Sequence, residues 1–249
     1  MSRHLLVIGA QRSGTTYVTG LLDAHPDITM ARPARPEPKV FLSDELAARG
    51  LRWYRETYFR HARSESVLGE KSTSYLEHAD AAARAASVLG SAEVLVLFRD
   101  PVRRAVSNWR FSTDHGLETR PLAAALTENL QEGREWDPAA TSVSPFAYLE
   151  RGRYADYLDP WDAAFPDTVH VHFLTELERE QTELEHLYGS LGVDPDFRPQ
   201  GWGRPVNESE EPAPELSDGL LGRLRAYFAA SDAALAGRLG RELPWPTPR

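Results

Sequence analysis

Short apolar runs rich in β-branched residues recur along the chain and predict buried strands. Each run is followed by a helical pattern or by a loop that leads to one. Strands that alternate with helices favour a mainly parallel sheet covered on both faces, so the predicted fold class is α/β with a central sheet flanked by helices. The predicted strands are Leu5–Ile8, Val67–Gly69, Val94–Phe98 and Val169–Phe173.

Helical periodicity fills the segments between these runs. His25-Pro26 ends the first predicted helix, Gly90 suits a C-cap, and Pro101 suits a first helical turn. The last long helix is expected to pack on the sheet. The predicted helices are Thr15–Leu22, Ala79–Leu89, Val102–Phe111, Glu176–Tyr188 and about Leu216–Leu239.

Three stretches rich in proline, glycine or charged residues interrupt the alternation of strands and helices. They are Ala31–Pro38, Gly133–Pro145 and Asp194–Pro214. Loops this long in a compact domain are more often functional than idle. We therefore expect them to contribute to binding.

Length and composition narrow the class of protein. The 249 residues are 41% hydrophobic and 26% charged, which predicts one globular α/β domain covering residues 1–249. The absence of cysteine excludes disulfides, thiolate ligands and cysteine nucleophiles. A net charge of −9 argues against a general nucleic-acid surface, although the 28 lysines and arginines still allow a local basic pocket.

Hydropathy and the start of the chain predict where the protein acts. No apolar run approaches the roughly 18 residues that a membrane span needs. The N-terminus enters a predicted strand almost at once, which leaves no room for a signal peptide, so a cytoplasmic location is expected. The eight histidines show no metal-ligand spacing, and no metal site is expected.

A glycine-bracketed loop follows the first predicted strand and opens a helix. Backbone N–H groups in such a loop, with a helix N-terminus behind them, form an anion cradle. Thr15 stands where a Walker A loop requires lysine, which argues for a ligand that lacks a triphosphate tail. The phosphosulfate of 3′-phosphoadenosine 5′-phosphosulfate (PAPS) fits, whereas the alternative is a junction whose glycines serve only packing. The candidate ligand-binding residues are Gln11, Arg12, Ser13, Gly14, Thr15 and Thr16.

A second basic segment predicts a second phosphate site. Arg99 ends a strand, Ser107 lies two helical turns further on, and Arg103 lies one turn from each. All three can therefore face the same side. The alternative is a solvated basic helix face. Asp100 could imitate a Walker B acid, but its neighbour Arg99 and the missing loop lysine argue against a Mg²⁺–triphosphate site.

Together the two segments resemble the PAPS-dependent sulfotransferase family, in the branch with the heparan sulfate glucosaminyl sulfotransferases and bacterial relatives. Gln11–Thr16 resembles the 5′-phosphosulfate loop of that family, and Arg99–Ser107 resembles its 3′-phosphate segment. The similarity extends from His4 to about Phe173 and weakens over the last third. One departure is Arg12, where the family usually has lysine. The resemblance implies a P-loop-containing nucleotide-binding fold, PAPS as donor and 3′-phosphoadenosine 5′-phosphate (PAP) as product.

The resemblance also assigns catalytic roles. Glu37 matches the family's catalytic glutamate and would act as general base on the acceptor hydroxyl. Lys39 would lie near the sulfuryl oxygens or contact the acceptor, beside Phe41. Lys71 would offset charge on the departing oxygen, together with Arg12. Without the family match, Glu37 is a charge in a Pro-rich loop and Lys71 an exposed lysine.

Further residues are assigned by the same resemblance. Ser72, Ser74 and Tyr75 would line the acceptor cleft. Tyr154 would reach the nucleotide or acceptor, although a buried aromatic at a helix start is an equal alternative. Arg204 is assigned to the nucleotide by its position in the segment Trp202–Asn207.

The predicted function is transfer of a sulfuryl group from PAPS to a hydroxyl, ahead of an amine, of a small metabolite or glycoconjugate. Specificity for the acceptor is expected in the loops Ala31–Phe41, Thr113–Pro145 and Asp194–Pro214. Two alternatives stay open at this point: a P-loop kinase of a small metabolite and a non-catalytic nucleotide-binding protein.

Overall fold

The computed structural model describes residues 2–137, 144–204 and 214–247. They divide into two compact units, residues 1–98 with 157–206 and residues 99–156 with 207–249. Within the described part of the chain, no helix combines the length and the apolarity that a membrane span requires. The expectation of a single domain over residues 1–249 stays a prediction.

The first unit is built on a sheet whose strands all run parallel. Over the described residues, its strands are β1 (Arg3–Gly9), β2 (Ile28–Met30), β3 (Val67–Lys71), β4 (Glu93–Phe98) and β5 (Val169–Phe173), in the spatial order β2-β3-β1-β4-β5. The α/β fold class and the four predicted strands are confirmed. The sequence pattern missed β2 because three residues are too short to show a period.

Helices connect these strands and form the second unit. Gly90 caps its helix and Pro101 opens the next, as predicted. The helices are α1 (Thr15–Ala24), α2 (Asp44–Ala47), α3 (Gly50–Tyr58), α4 (Ala79–Leu89), α5 (Pro101–Asp114), α6 (Leu122–Asn129), α7 (Asp159–Ala164), α8 (Leu174–Leu177), α9 (Gln181–Ser190) and α10 (Asp218–Leu239).

Two predictions about helices were wrong. The helix expected over Glu176–Tyr188 is two helices, α8 and α9, and no glycine or proline marks the break between them. The segment Thr113–Pro145, expected to be a loop, contains α6, whose Leu122, Ala125 and Leu126 are buried. The remaining missed helices, α2, α3 and α7, are short.

The strand order places a ligand-binding edge at the end of β1. The chain leaves β1 to build β2 and β3 on one side, and then returns to build β4 and β5 on the other. A parallel sheet opens a crevice beyond the carboxyl ends of its strands where this reversal occurs. One apolar cluster joins β1 and β4 to α1 and α9. Because the loop after β1 connects β1 to α1, both of its ends are held by this buried cluster.

The second unit has an apolar core of its own. Residues of α5 and α6, among them Val102 and Leu126, pack with Leu224 and Phe228 of α10. The sequence pattern predicts that this last helix packs on the sheet. Within the second unit, its buried face contributes to the core formed with α5 and α6, and this packing holds the Arg99–Ser107 segment against α10. Packing of α10 on the sheet stays a prediction.

Candidate active site

The loop after β1 has the backbone of an anion-binding turn. Arg12 has a φ of +66° and Gly14 a φ of +86°, so both are in the left-handed region. A Cβ at Gly14 would lie 2.4 Å from Leu174 Cδ1, so the backbone angle and the packing both require glycine there. Gly14 is also the N-cap of α1. The predicted glycine-bracketed turn into a helix is confirmed.

Two features of this loop fit an anionic ligand. The first turn of α1 has neither an acidic residue nor a side-chain cap, and the first N–H groups of a helix have no partner inside it. Ser13 is fully buried, and its Oγ has no hydrogen-bond partner among the described residues. A buried hydroxyl without a partner is costly and indicates a ligand that supplies one. The loop therefore fits the 5′-phosphosulfate of PAPS.

Glu37 and Lys71 form an ion pair at the carboxyl edge of the sheet. Lys71, the last residue of β3, places its Nζ 3.2 Å from Glu37 Oε1, and the two side chains are 13% and 17% exposed. Thr73 N donates to Glu37 Oε2 at 3.0 Å, and the Thr73 hydroxyl also contacts this carboxylate. Sequence reasoning assigned no role to Thr73, although it lies only two residues after Lys71. The structure brings the predicted base and the predicted cation together.

The residues that follow β3 also contact β1 and the loop after it. Gln11 Nε2 donates to Ser74 Oγ at 3.3 Å, and Ser72 N donates to Val7 O at 3.1 Å. These bonds connect β1 and the loop after it with the residues after β3. A carboxylate, an ammonium and an anion-binding loop therefore share one edge of the sheet.

Most residues assigned to the acceptor cleft lie inside the protein. Phe41, Ser72, Ser74 and Tyr75 are all at most 1% exposed. The Ser72 hydroxyl accepts from Lys39 N at 2.9 Å, and the Tyr75 hydroxyl accepts from Phe41 N at 3.1 Å. The burial of all four corrects the expectation that they line a cleft, and the Ser72 and Tyr75 hydroxyls already bind backbone N–H groups. Lys39 is partly exposed and has a φ of +51°.

In the second unit, Asp100 organises the predicted 3′-phosphate segment. Its Oδ1 accepts from Val102 N at 2.9 Å and so caps α5. Arg225 of α10 binds both oxygens of Asp100, at 2.9 Å and 2.6 Å. A carboxylate used in this way is not a Walker B acid, in agreement with the sequence argument. The sequence did not reveal Arg225, since nothing in a long helix shows which residue it turns toward Asp100.

The other predicted nucleotide residues of the second unit have mixed positions. Arg103 is exposed and Ser107 partly exposed, four residues apart on α5. Tyr154 is 1% exposed and donates its hydroxyl to Arg99 O at 2.7 Å. The alternative of a buried aromatic at a helix start therefore describes Tyr154 better than contact with a ligand.

The end of the third predicted loop is only partly described. In the first unit, Arg204 is exposed, and Asn207 lies outside the described residues. Trp202 donates its Nε1 to Leu177 O at 2.9 Å, and Gly203 N donates to the Tyr17 hydroxyl at 2.9 Å. These bonds fix the segment before Arg204, and its role toward a nucleotide stays a prediction.

His25 is a structural residue. It is buried, its Nε2 lies 3.1 Å from Asp194 O, and its Nδ1 accepts from Asp27 N at 3.1 Å. With both ring nitrogens bonded, it has no lone pair for a substrate proton. Across the described ranges, no three His, Asp or Glu side chains are grouped so as to hold a metal ion.

The sequence matches the family described as a sulfotransferase domain over residues 2–175, more than half of the chain. The chain therefore belongs to the sulfotransferase domain family, and the predicted family is confirmed. The matched residues include the loop after β1, Glu37, Lys71 and Arg99, and they end before Arg225.

Individual relatives agree with this family. Heparan sulfate glucosamine 3-O-sulfotransferase 3B1 of Mus musculus is 30% identical over 161 residues, which are 65% of this chain and 38% of that protein. Heparan sulfate glucosamine 3-O-sulfotransferase 6 of Mus musculus is 28% identical over 96% of this chain and 72% of that protein. The chain thus spans less than two fifths of the length of the first relative. A sulfotransferase structure from Alicyclobacillus acidocaldarius is 24% identical, with a TM-score of 0.78 over 98% of each chain, and shares the fold.

Proposed function

We propose that this chain transfers a sulfuryl group from PAPS to a hydroxyl, ahead of an amine, of a small molecule or glycoconjugate. The observation that carries the proposal is the Glu37–Lys71 pair, 3.2 Å apart, beside the anion-binding loop. Membership of the sulfotransferase domain family supports it.

The chain offers separate groups for the two ends of the donor. The N–H groups at the start of α1, with Ser13 and Arg12, would bind the 5′-phosphosulfate. Arg99 and Ser107 would bind the 3′-phosphate, which distinguishes PAPS from ordinary adenylates. Fixed cations would then stabilise charge as Mg²⁺ does in kinases, so the reaction is expected to need no metal.

Glu37 and Lys71 would act in the same step, Glu37 on the acceptor hydroxyl and Lys71 on the departing oxygen. Glu37 takes the proton from the acceptor hydroxyl, whose oxygen forms a bond to sulfur as the bond from sulfur to the bridging phosphate oxygen breaks. The electron pair of that bond leaves on the phosphate of PAP. Lys71 stabilises this oxygen, and its three N–H donors allow it to stay bound to Glu37 meanwhile.

The acceptor is proposed only as a class. The two relatives named above are sulfotransferases of heparan sulfate glucosamine. A polyanionic chain needs a long basic groove, and the net charge of −9 favours a compact metabolite or glycoconjugate instead. The cytoplasmic location expected from the sequence stays a prediction.

The test measures PAP release from PAPS by the purified chain against a panel of phenols, sugars and amines. Acceptor-dependent PAP release that is lost in Glu37→Gln is expected. Phosphoryl transfer from ATP with Mg²⁺ would favour a kinase instead. A non-catalytic binding protein would bind PAP tightly but transfer no group to any member of a broad panel. Replacing Glu37 or Lys71 would then leave PAP binding unchanged.

A further inference from the structure

Glu70 is a fully buried carboxylate that the proposed reaction does not use. It lies on β3, one residue before Lys71, with 0% of its surface exposed. Three hydroxyls donate to it: Tyr54 to Oε2 at 2.6 Å, and Ser72 and Tyr75 to Oε1 at 2.6 Å and 2.7 Å. Burial raises the pKa of Glu70, and the three hydroxyl bonds oppose that shift. Such a costly group in a core is retained where its hydrogen bonds serve a purpose.

Two of these three hydroxyls also accept hydrogen bonds from the backbone of the segment that follows Glu37. The Ser72 hydroxyl accepts from Lys39 N at 2.9 Å, and the Tyr75 hydroxyl accepts from Phe41 N at 3.1 Å. A carboxylate only accepts hydrogen bonds, so each hydroxyl must turn its hydrogen toward Glu70 and its lone pairs toward the backbone. Glu70 thereby fixes the direction of both bonds to the segment that follows Glu37.

This segment has little regular secondary structure, although Arg84 Nη1 also donates to Phe41 O at 3.3 Å. Lys39 has a φ of +51°, and only a short 3₁₀ helix, Val40–Leu42, follows it. Backbone in the left-handed region is strained for lysine and persists only when its surroundings hold it. The two hydroxyl bonds at residues 39 and 41 provide such a hold, two and four residues after the proposed base.

We propose that Glu70, acting through Ser72 and Tyr75, is a positioning residue that holds the Glu37–Phe41 segment in its reactive place. The inference rests on the proposed function for its catalytic consequence, but its structural part stands without it. Because a displacement of about 1 Å can cost up to about a hundredfold in rate, loss of one of these bonds should affect turnover rather than nucleotide binding.

The chain offers a matched pair of variants for the test. Tyr54→Phe and Tyr75→Phe each remove one phenol oxygen from the same carboxylate. Both rings are buried, and both contact the Phe41 ring, at centroid distances of 5.6 Å and 5.5 Å. Only Tyr75 also accepts from the backbone of the segment. A general loss of core stability should affect the two variants alike, whereas loss of positioning should affect Tyr75→Phe alone.

The first measurement is amide hydrogen exchange, which needs neither donor nor acceptor. With amides of β1 as internal reference, exchange at Phe41 should accelerate about tenfold in Tyr75→Phe and stay within about threefold of wild type in Tyr54→Phe. In Ser72→Ala, exchange at the Lys39 amide should likewise accelerate about tenfold. Equal acceleration in both tyrosine variants, or none in either, would overturn the inference.

The second measurement is turnover of PAPS with an acceptor from the panel. Tyr75→Phe should lower kcat about tenfold while the Kd for PAP stays within about threefold, and Tyr54→Phe should keep kcat. Equal losses of kcat in the two tyrosine variants would show that Glu70 contributes only to core stability. If the wild-type chain releases no PAP with any acceptor, the proposed function fails, and the exchange measurement alone then decides the positioning role.

A direct change at Glu70 completes the design. Glu70→Gln keeps a carbonyl oxygen for Ser72 and Tyr75, whereas Glu70→Leu, of similar volume, removes it. Protection of the Lys39 and Phe41 amides should survive in the first variant and be lost in the second. If a folded Glu70→Leu protein keeps that protection, the two hydroxyls do not depend on Glu70 and the inference is wrong.

Discussion

Lys71 Nζ lies 3.2 Å from the carboxylate oxygen Oε1 of Glu37, in a pair that is largely shielded from solvent. The residue proposed to take a proton is thus held by the residue proposed to stabilise the departing oxygen. Two side chains from separate segments of the chain could each be ordinary surface charges, but their shielded contact beside an anion-binding loop is the arrangement that the proposed reaction requires.

Replacing Glu37 by glutamine should separate catalysis from binding. The glutamine would keep the shape of the side chain and an oxygen for Thr73 N, but it cannot accept a proton. We expect turnover to fall by about 10²–10⁴-fold, while the affinity for PAP stays within about threefold. Calorimetry with PAP and a transfer assay measure the two quantities. A variant with near wild-type turnover would exclude Glu37 as the base, and Lys39, two residues further along the same segment, would then be the residue to test.

Arg99→Ala should weaken PAP binding by about 2–4 kcal/mol, because the 3′-phosphate loses a charge-assisted partner. Alanine keeps the backbone carbonyl that accepts from the Tyr154 hydroxyl, so the local fold should survive. Adenosine 5′-phosphosulfate lacks the 3′-phosphate and serves as the control ligand, whose affinity should scarcely change. Parallel losses for both nucleotides would mean that Arg99 has a structural role.

The sequence predicted most of the fold and, through the family resemblance, singled out Glu37 and Lys71, which the structure brings together. Strand runs such as Val94–Phe98 are apolar without interruption, so their burial can be predicted from composition alone. The loop after β1 could also be predicted, because Gly9 and Gly14 bracket a turn that leads into a helix. Glu37 had no local signal and depended on resemblance to a family.

What the sequence could not show was which polar groups meet. The family resemblance assigned Ser72 and Tyr75 to the acceptor cleft, yet both hydroxyls bind Glu70. The predicted strand Val67–Gly69 ends before Glu70, so nothing in the sequence shows that this carboxylate is buried or which hydroxyls from α3 and the following turn surround it. Such contacts depend on packing across the unit, which no sequence window contains.

We expect the Arg225–Asp100 ion pair to contribute to the free energy of unfolding. Arg225→Ala would leave the Asp100 carboxylate, whose side chain is 9% exposed, without its bidentate partner. Breaking a buried pair from one side is costly, and we expect a loss of about 2–4 kcal/mol in the free energy of unfolding. Arg223→Ala, at an exposed position on the same helix, is the control and should cost no more than about 0.5 kcal/mol. Equal effects in denaturant titrations of the two variants would contradict the structural role of the pair.

Asp232 should make the protein less stable as pH rises through the weakly acidic range. It is 1% exposed on α10 and accepts from Trp245 Nε1 at 3.2 Å. Burial raises its pKa to about 6, aided by the nearby Asp100 and opposed by the Trp245 bond and by Arg225. An unfolded aspartate titrates at about pH 4, so between about pH 4 and pH 6 the native state holds the proton more tightly than the unfolded state. Stability therefore falls across this window and is constant with respect to this group above it.

Asp232→Asn isolates that contribution, because asparagine keeps an oxygen for Trp245 and never ionises. At pH 4 the native wild type carries a neutral Asp232, so the variant and the wild type should have similar free energies of unfolding. By pH 7 the variant should have gained about 2–3 kcal/mol relative to the wild type, the equivalent of a shift of about two pKa units. Urea titrations of both proteins from pH 4 to pH 7 give this difference directly, and all other ionisable groups cancel in it. A difference that stays constant over the whole range would show that Asp232 is ionised in the native state throughout.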